Sequence, residues 1–126
     1  MKKVIVLVVL MMLSGCAFRE FKQQLNATTD GPVVLVNKFN VDSDDRQHFL
    51  IEFSKVKQFM QKQPGYISSQ LHQPVGDSEV WMNLARWESN TALKNAIFNP
   101  GFKYVIKQLP GRPEPVLFKE LKLIKG

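Results

Sequence analysis

One stretch limits the possible folds more than any other: Glu79 to Phe102, EVWMNLARWESNTALKNAIFNPGF. Val80 to Trp87 is apolar and aromatic and reads as a strand. Glu88-Ser89-Asn90 leads straight into a helix, with Ser89 or Asn90 as its cap. Strand residues alternate faces, so Trp81, Asn83, Ala85 and Trp87 share one side. Two indoles and an amide beside a small alanine describe a pocket wall. Burial in an ordinary core would explain the indoles equally well.

The preceding chain supplies the partners for this strand. Val33 to Phe39, VVLVNKF, is rich in β-branched residues and reads as a strand. Asn37 shares a face with Val33, Leu35 and Phe39. An amide there needs hydrogen bonds, either from the backbone or from something held in a pocket. Asp42-Ser43-Asp44-Asp45 supplies N-cap candidates and favourable charge for a helix start. The spacing predicts a helix from Asp45 to Lys62, with Phe49, Phe53, Val56 and Phe59 or Met60 inward. Gln47, Glu52, Lys55, Gln58 and Gln61 fall on the opposite side, and Pro64-Gly65 stops the helix. Tyr66 to Gln73 alternates as a second strand. Ile67, Ser69 and Leu71 point one way, and Tyr66, Ser68, Gln70 and His72 the other. Turn residues from Pro74 to Ser78 predict an antiparallel hairpin with Val80 to Trp87.

Beyond that hairpin, Ala92, Leu93, Ala96 and Ile97 form the buried face of the second helix. Asn99-Pro100-Gly101 breaks it, and Phe102 to Leu109 continues as a shorter helix. Pro110 to Pro115, PGRPEP, reads as a stiff loop. Val116 to Leu123 is the last expected strand, with Leu117, Leu121 and Leu123 on one face. The order is β-α-β-β-α-β. It predicts an α+β, ferredoxin-like fold with a four-stranded antiparallel sheet and its helices on one face. The uncovered face is also apolar, through Val34, Val36, Val80, Met82, Leu84, Val116 and Phe118. Such a face needs a cover, and a second copy related by two-fold symmetry is the economical one, so a homodimer is expected.

The N-terminus reads as an address. Lys2 and Lys3 precede an apolar run from Val4 to Leu13, about half the length a membrane span needs. The exit, Leu13-Ser14-Gly15-Cys16, resembles the bacterial lipobox. That resemblance implies that Cys16 carries a diacylglycerol and becomes the first mature residue. Acyl chains would then hold the protein to a membrane at about 0.8 kcal/mol per buried methylene. Ala17 follows, where the enterobacterial sorting rule places Asp to retain a lipoprotein at the inner membrane. The outer membrane and a periplasm-facing body are therefore expected. The organisation follows: a signal peptide over 1–15, the lipidated cysteine and a tether over 16–32, and one domain over 33–126. Phe18 to Pro32, FREFKQQLNATTDGP, is polar and reads as that tether, with one or two helical turns near Phe18 to Leu25.

Composition excludes several classes. The net charge of +6 would suit nucleic acid, but the lysines are dispersed and no four basic residues adjoin. With an anchor outside the cytoplasm, no nucleic-acid partner is expected. The single cysteine, Cys16, forbids an intrachain disulfide, and His48 and His72 lack metal-site spacing. No metal is expected.

The segments VLVNKF, QPGYISSQLHQ and EVWMNLARWESNTALKNAIFNPGFKYV resemble the antibiotic biosynthesis monooxygenase family of dimeric α/β barrels. The phrase W-x-S-x-x-A-L, from Trp87 to Leu93, is its most specific part, and the likeness spans about Val33 to Leu123. It implies the fold, the dimer and two candidate chemistries. Quinone-forming members oxidise polyphenolic aromatics with O₂ and neither metal nor flavin, so the resemblance implies that no cofactor is expected. Their Asn and Trp four residues apart on the third strand are matched by Asn83 and Trp87. Their tyrosine on the next helix is replaced at the nearest position by Leu93, with Tyr104 as a distant alternative. Heme-degrading members use an Asn matched by Asn37. However, Ala96 and Ile106 stand where their Trp and His are expected, which disfavours heme degradation. The resemblance thus implies Asn37, Asn83 and Trp87 as the catalytic set for a small aromatic or quinol-like substrate. A ligand-binding or stress-related lipoprotein without chemistry is the alternative.

Overall fold

The computed structural model describes residues 15–122. The apolar run Val4 to Leu13 and the strand-end Leu123 lie outside them. Four strands, β1 (Val33–Asn40), β2 (Tyr66–His72), β3 (Val80–Trp87) and β4 (Arg112–Lys119), form one sheet in the order β2-β3-β1-β4. All three pairings are antiparallel. The helices are α1 (Gly15–Asn26), α2 (Arg46–Gln61), α3 (Asn90–Ile97) and α4 (Phe102–Ile106). The ferredoxin-like arrangement read from the alternating segments is the one observed. Among the described residues no helix is long and apolar enough to cross a membrane.

Each helix start has its own local chemistry. Asp42 and Asp45 make no side-chain cap bond. Glu79 does part of that work from across the fold, its Oε2 accepting from the Ser43 amide at 3.0 Å. At α3, Ser89 is the cap, its Oγ accepting from the Ala92 amide at 3.0 Å. Phe49, Phe53 and Val56 of α2 are buried, as the helical period requires. Glu52 is buried too, against expectation, with Lys55 Nζ 2.8 Å from its Oε2. Lys55 covers the carboxylate one turn along, so a position that looks solvent-facing by period is closed over.

The core forms two separate clusters on the helix-covered face. One gathers Phe21, Leu25, Val33, Leu35, Ala85, Trp87, Leu93, Ala96 and Leu117. The other is mostly aromatic: Phe39, Val41, Phe49, Phe53 and Trp81. Phe49 stacks on Phe53 at 5.5 Å and lies 5.1 Å from Trp81, ring centre to ring centre.

Three local expectations change. First, the segment read as a tether includes a 12-residue helix, α1, docked on β4 and α3. Phe21 and Leu25, four apart, bury one side of it. Gln24 joins it to the sheet edge, its Oε1 accepting from Leu117 N at 2.9 Å and its Nε2 donating to Leu117 O at 3.0 Å. Asn90 Nδ2 reaches the carbonyls of Gln24, Leu25 and Ala27 at 2.6, 3.2 and 3.0 Å, serving the open carbonyl end of α1.

Second, β4 begins four residues earlier than the proline content suggests, and Leu121 is exposed beyond its end. Leu117 turns its backbone N–H outward to Gln24. By alternation Pro113 and Pro115 turn their nitrogens outward as well, so neither removes a bond to β1. Third, a register shift between Tyr66 and Ser68 puts Tyr66 opposite Trp87. Tyr66 then meets Trp87 edge-on at 5.5 Å and pairs its hydroxyl with Ser69 Oγ at 2.6 Å. Ile67 is displaced to the exposed side.

Gly65 fixes how α3 approaches the strands. Its φ is +88°, and its carbonyl accepts from the Glu88 amide at 2.8 Å. A Cβ there would collide with the Ala92 Cβ. Gly65→Ala is therefore expected to destabilise the protein by about 3 kcal/mol, summing left-handed backbone cost and overpacking. Urea unfolding checks this. Adding Ala92→Gly should recover part of the loss, since it removes the collision and leaves the backbone cost.

Candidate functional site

The two clusters are separated at mid-sheet by polar side chains. Asn37 on β1 and Asn83 on β3 are direct partners across the two central strands. Both stand on the helix-covered face, in line with Phe39 and Leu35 on one strand and with Trp81 and Ala85 on the other. The outward pairing of β4 described above makes the odd-numbered residues of β1 bond to β3. Asn37 and Asn83 thus exchange backbone hydrogen bonds, with Cα atoms about 5.5 Å apart. Pro115 flanks Asn37 on β4, and Leu71 flanks Asn83 on β2. The backbone bonds lock both amides in place and leave their side chains to other partners.

Among the described residues the two side-chain oxygens have no partner. The Oδ1 atoms of Asn37 and Asn83 are buried and accept no hydrogen bond. Each residue as a whole is only half-buried. Leaving a buried acceptor unpaired costs about 1–3 kcal/mol. Two such acceptors stand on directly paired residues of the two central strands.

The structure places the three sequence-predicted residues unequally. Asn37 and Asn83 are together. Trp87 lies four residues along β3, about 13 Å from Asn83, in the other cluster. It is 1% exposed, with Val33 opposite and Tyr66 edge-on. Ala85 stands between Asn83 and Trp87 on the same face. A flat ring running from the amides toward Trp87 would lie over that small side chain. Tyr104, weighed as a substitute for a helix tyrosine, is 68% exposed and cannot serve an interior site as it stands. Leu93 and Ala96 are core residues.

Surface clefts occur elsewhere. One of about 570 Å³ is lined by Ser43, Arg46, Gly76, Asp77 and Glu79. Another of about 360 Å³ lies near Asp42, Asp45 and Arg112. Neither includes Asn37, Asn83 or Trp87. Among the described residues, no group of three His, Cys, Asp or Glu side chains is placed to hold a metal ion.

Comparison with known proteins follows from this geometry. SnoaB, a cofactor-independent oxygenase from Streptomyces nogalater, superposes with a TM-score of 0.69 at 24% identity, over 76% of this chain and 99% of its own. A candidate monooxygenase from Shewanella loihica PV-4 gives 0.64 at 26% identity, over 76% of this chain and all of its own (100%). A candidate antibiotic biosynthesis monooxygenase from Caulobacter crescentus CB15 gives 0.69 at 19% identity, over 79% and 99%. No curated protein matches the sequence. The family model described as antibiotic biosynthesis monooxygenase matches residues 32–108, which contain β1 to β3, both central asparagines and both tryptophans. That match covers more than half of the sequence, and the chain belongs to the antibiotic biosynthesis monooxygenase family.

Proposed function

We propose that this protein is a cofactor-independent monooxygenase of a small hydroxylated aromatic, held to a membrane by a lipid on Cys16. One observation carries the chemistry: the adjacent, buried and unpartnered Oδ1 atoms of Asn37 and Asn83 on the central strands. SnoaB, a cofactor-independent oxygenase of the same fold, supports the reaction class. In this reading the ring lies over Ala85 against Trp87, and the amides hold its oxygens. The substrate loses a proton to water, and the resulting carbanion passes one electron to O₂. The two radicals combine, and loss of water leaves a carbonyl on the ring, so an R₂CH₂ centre and O₂ give R₂C=O and H₂O. The chain's own contribution is position and, through the Nδ2–H donors of the amides, polarisation of the substrate oxygens. Oxygen uptake by the purified protein, with EDTA and a panel of anthrones and hydroquinones, tests it. No uptake across the panel would reject the enzyme and favour a binding role.

The anchor rests on the sole cysteine standing at the end of Leu13-Ser14-Gly15-Cys16. Expression in a Gram-negative host with labelled palmitate should give a labelled protein in the membrane fraction, and Cys16→Ser should lose the label. Label retained by that variant would reject the lipobox. The uncovered, apolar sheet face supports a homodimer.

A further inference from the structure

The charges of this protein are sorted along α2. Acids gather at its start: Asp42, Asp44 and Asp45 lead into it. Asp77 and Glu79 join them around one cleft with Ser43 and Arg46. The other end, 16 residues and about 24 Å away, is basic. Lys62 closes the helix there. Next to it, Gln63 Oε1 accepts from Asn99 Nδ2 at 3.3 Å, which brings in the turn between α3 and α4. From Ser89 to Pro113 the sequence holds Lys94, Lys103, Lys107 and Arg112 and no acidic residue. Arg112 lies back among Asp42, Asp45 and Glu79. The three lysines and Lys62 remain as a basic patch around the turn.

Two aromatic side chains stand out of that patch. The turn itself is fixed: Asn99 Oδ1 accepts from the Gly101 amide at 2.9 Å, and Phe102 packs on Phe59 with ring centres 6.2 Å apart. A Cβ on Gly101 would meet the Phe59 ring at 2.8 Å, so the turn lies directly on α2. With Phe102 turned inward, Phe98 and Tyr104 to either side of it are turned out, Phe98 being 64% exposed. Lys103 Nζ lies 5.5 Å from the centre of the Tyr104 ring. The two clefts described above lie at the acidic end, so these rings project singly rather than line a groove. A folded partner would need a matched socket for each of them. A fluid headgroup layer closes around any protruding ring, and aromatics flanked by lysines are the side chains that rest at that depth. Each lysine close to an anionic bilayer favours attachment by about fivefold.

We propose that the α3–α4 turn, with Phe98, Tyr104 and the lysines around them, docks on the surface of an anionic bilayer, with the acidic end of α2 pointing away from it. This goes beyond the proposed reaction and uses neither Cys16 nor the two asparagines. It sets an orientation for the whole domain. Tyr66, four residues after Lys62, is paired with Trp87, so the Trp87 end of the interior lies on the membrane side.

The test puts a reporter at each end. Full-length Phe98→Trp and Val75→Trp are reconstituted with vesicles of phosphatidylcholine and phosphatidylglycerol whose acyl chains carry bromine near the headgroup. Val75, 93% exposed beside Gly76 and Asp77, is the control at the acidic end. The emission of wild type, from the buried Trp81 and Trp87, is subtracted. Phe98→Trp is expected to lose at least about half of its added emission to bromine and to shift to the blue, and Val75→Trp to do neither. Vesicles of phosphatidylcholine alone should reduce the quenching of Phe98→Trp by about fivefold or more, as should adding Lys62→Gln and Lys103→Gln in the mixed vesicles. No quenching of Phe98→Trp, equal quenching of Val75→Trp, or quenching indifferent to phosphatidylglycerol would each overturn the proposal. A blue shift of Phe98→Trp that needs no vesicles and grows with protein concentration would assign the patch to a protein contact and overturn it too. Phe98, Lys62 and Lys103 are exposed, so the variants should fold, which circular dichroism checks. If the lysine pair does not fold, the two lipid compositions still decide. Oxygen uptake can fail while this result stands, and the reverse.

Discussion

Leu84→Lys is expected to split the proposed homodimer into monomers. Leu84 sits at the centre of the sheet face that no helix covers, opposite Val36 on β1, with Val116 next across on β4. Phe118 pairs with Val34 on the same face and is 53% exposed in the single chain. Val80, Val116 and Ile67 are exposed there too. Charged pairs lie toward the rim: Lys38 opposite Glu114, and Arg86, whose Nη2 donates to both carboxylate oxygens of Glu120 at 2.8 and 2.9 Å. An apolar centre with a charged rim is the anatomy of an interface, and two-fold symmetry lets this patch cover itself. An unpaired charge in such a centre costs about 3–5 kcal/mol, and symmetry inserts it twice. The dissociation constant should therefore rise by at least about a hundredfold. Light scattering of wild type and variant at equal micromolar concentrations measures it. Circular dichroism should stay unchanged, because Leu84 points away from the helices. A variant that remains dimeric, or a wild type that is monomeric, would remove this interface.

Asn83→Ala is expected to lower oxygen-dependent turnover by about a hundredfold without destabilising the fold. The rate loss is that of one hydrogen-bonding group acting on charge formed in the transition state. The stability half of the prediction comes from the hydrogen bonds. Asn83 Oδ1 has no partner to lose, so truncation removes an unsatisfied polar atom. The melting temperature should hold or rise, the signature of a residue kept for function at some cost in stability. Trp87→Ala offers the contrast. Its ring is buried among Tyr66, Val33 and their neighbours, so truncation should cost about 3–5 kcal/mol. A marked fall in melting temperature for Asn83→Ala would make the amide structural, and unchanged turnover would remove it from the site.

The alternation of apolar periods was enough to read the order of strands and helices, because each segment carries its own pattern. What escaped depended on neighbours distant in sequence. Strand period alone places Asn37 and Asn83 on the helix-covered face. Only register makes them adjacent, and register is set by every other pair along β1 and β3. The prolines of β4 look like loop residues until the outward direction of their nitrogens at an edge is known. A bulge near Ile67 reverses Tyr66, and no local residue type announces it. Trp81 could be assigned to the right face from sequence, but the unpaired state of its N–H is a property of the packed protein. The docking of α1 was hidden because its segment is largely polar: Phe21 and Leu25 are buried, and the remaining hold comes from Gln24 and from Asn90 of another element.

That docking changes what a lipid at Cys16 would mean mechanically. About five residues of helix, a rise of roughly 7.5 Å, separate Cys16 from the buried Phe21. A leash so short and so stiff would give the domain almost no freedom to swivel above a bilayer. The end of the fold formed by α1, α3 and the β4 edge would rest against the headgroups. In a two-fold dimer both acyl groups must enter the same leaflet, which requires the symmetry axis to stand along the membrane normal. The two anchors would then act as a bivalent grip, with detachment requiring both to leave together. The elements that wall the Trp87 end of the interior would face hydrocarbon-soluble molecules rather than bulk water. A substrate drawn from the bilayer would be concentrated at the protein before it ever met the aqueous phase.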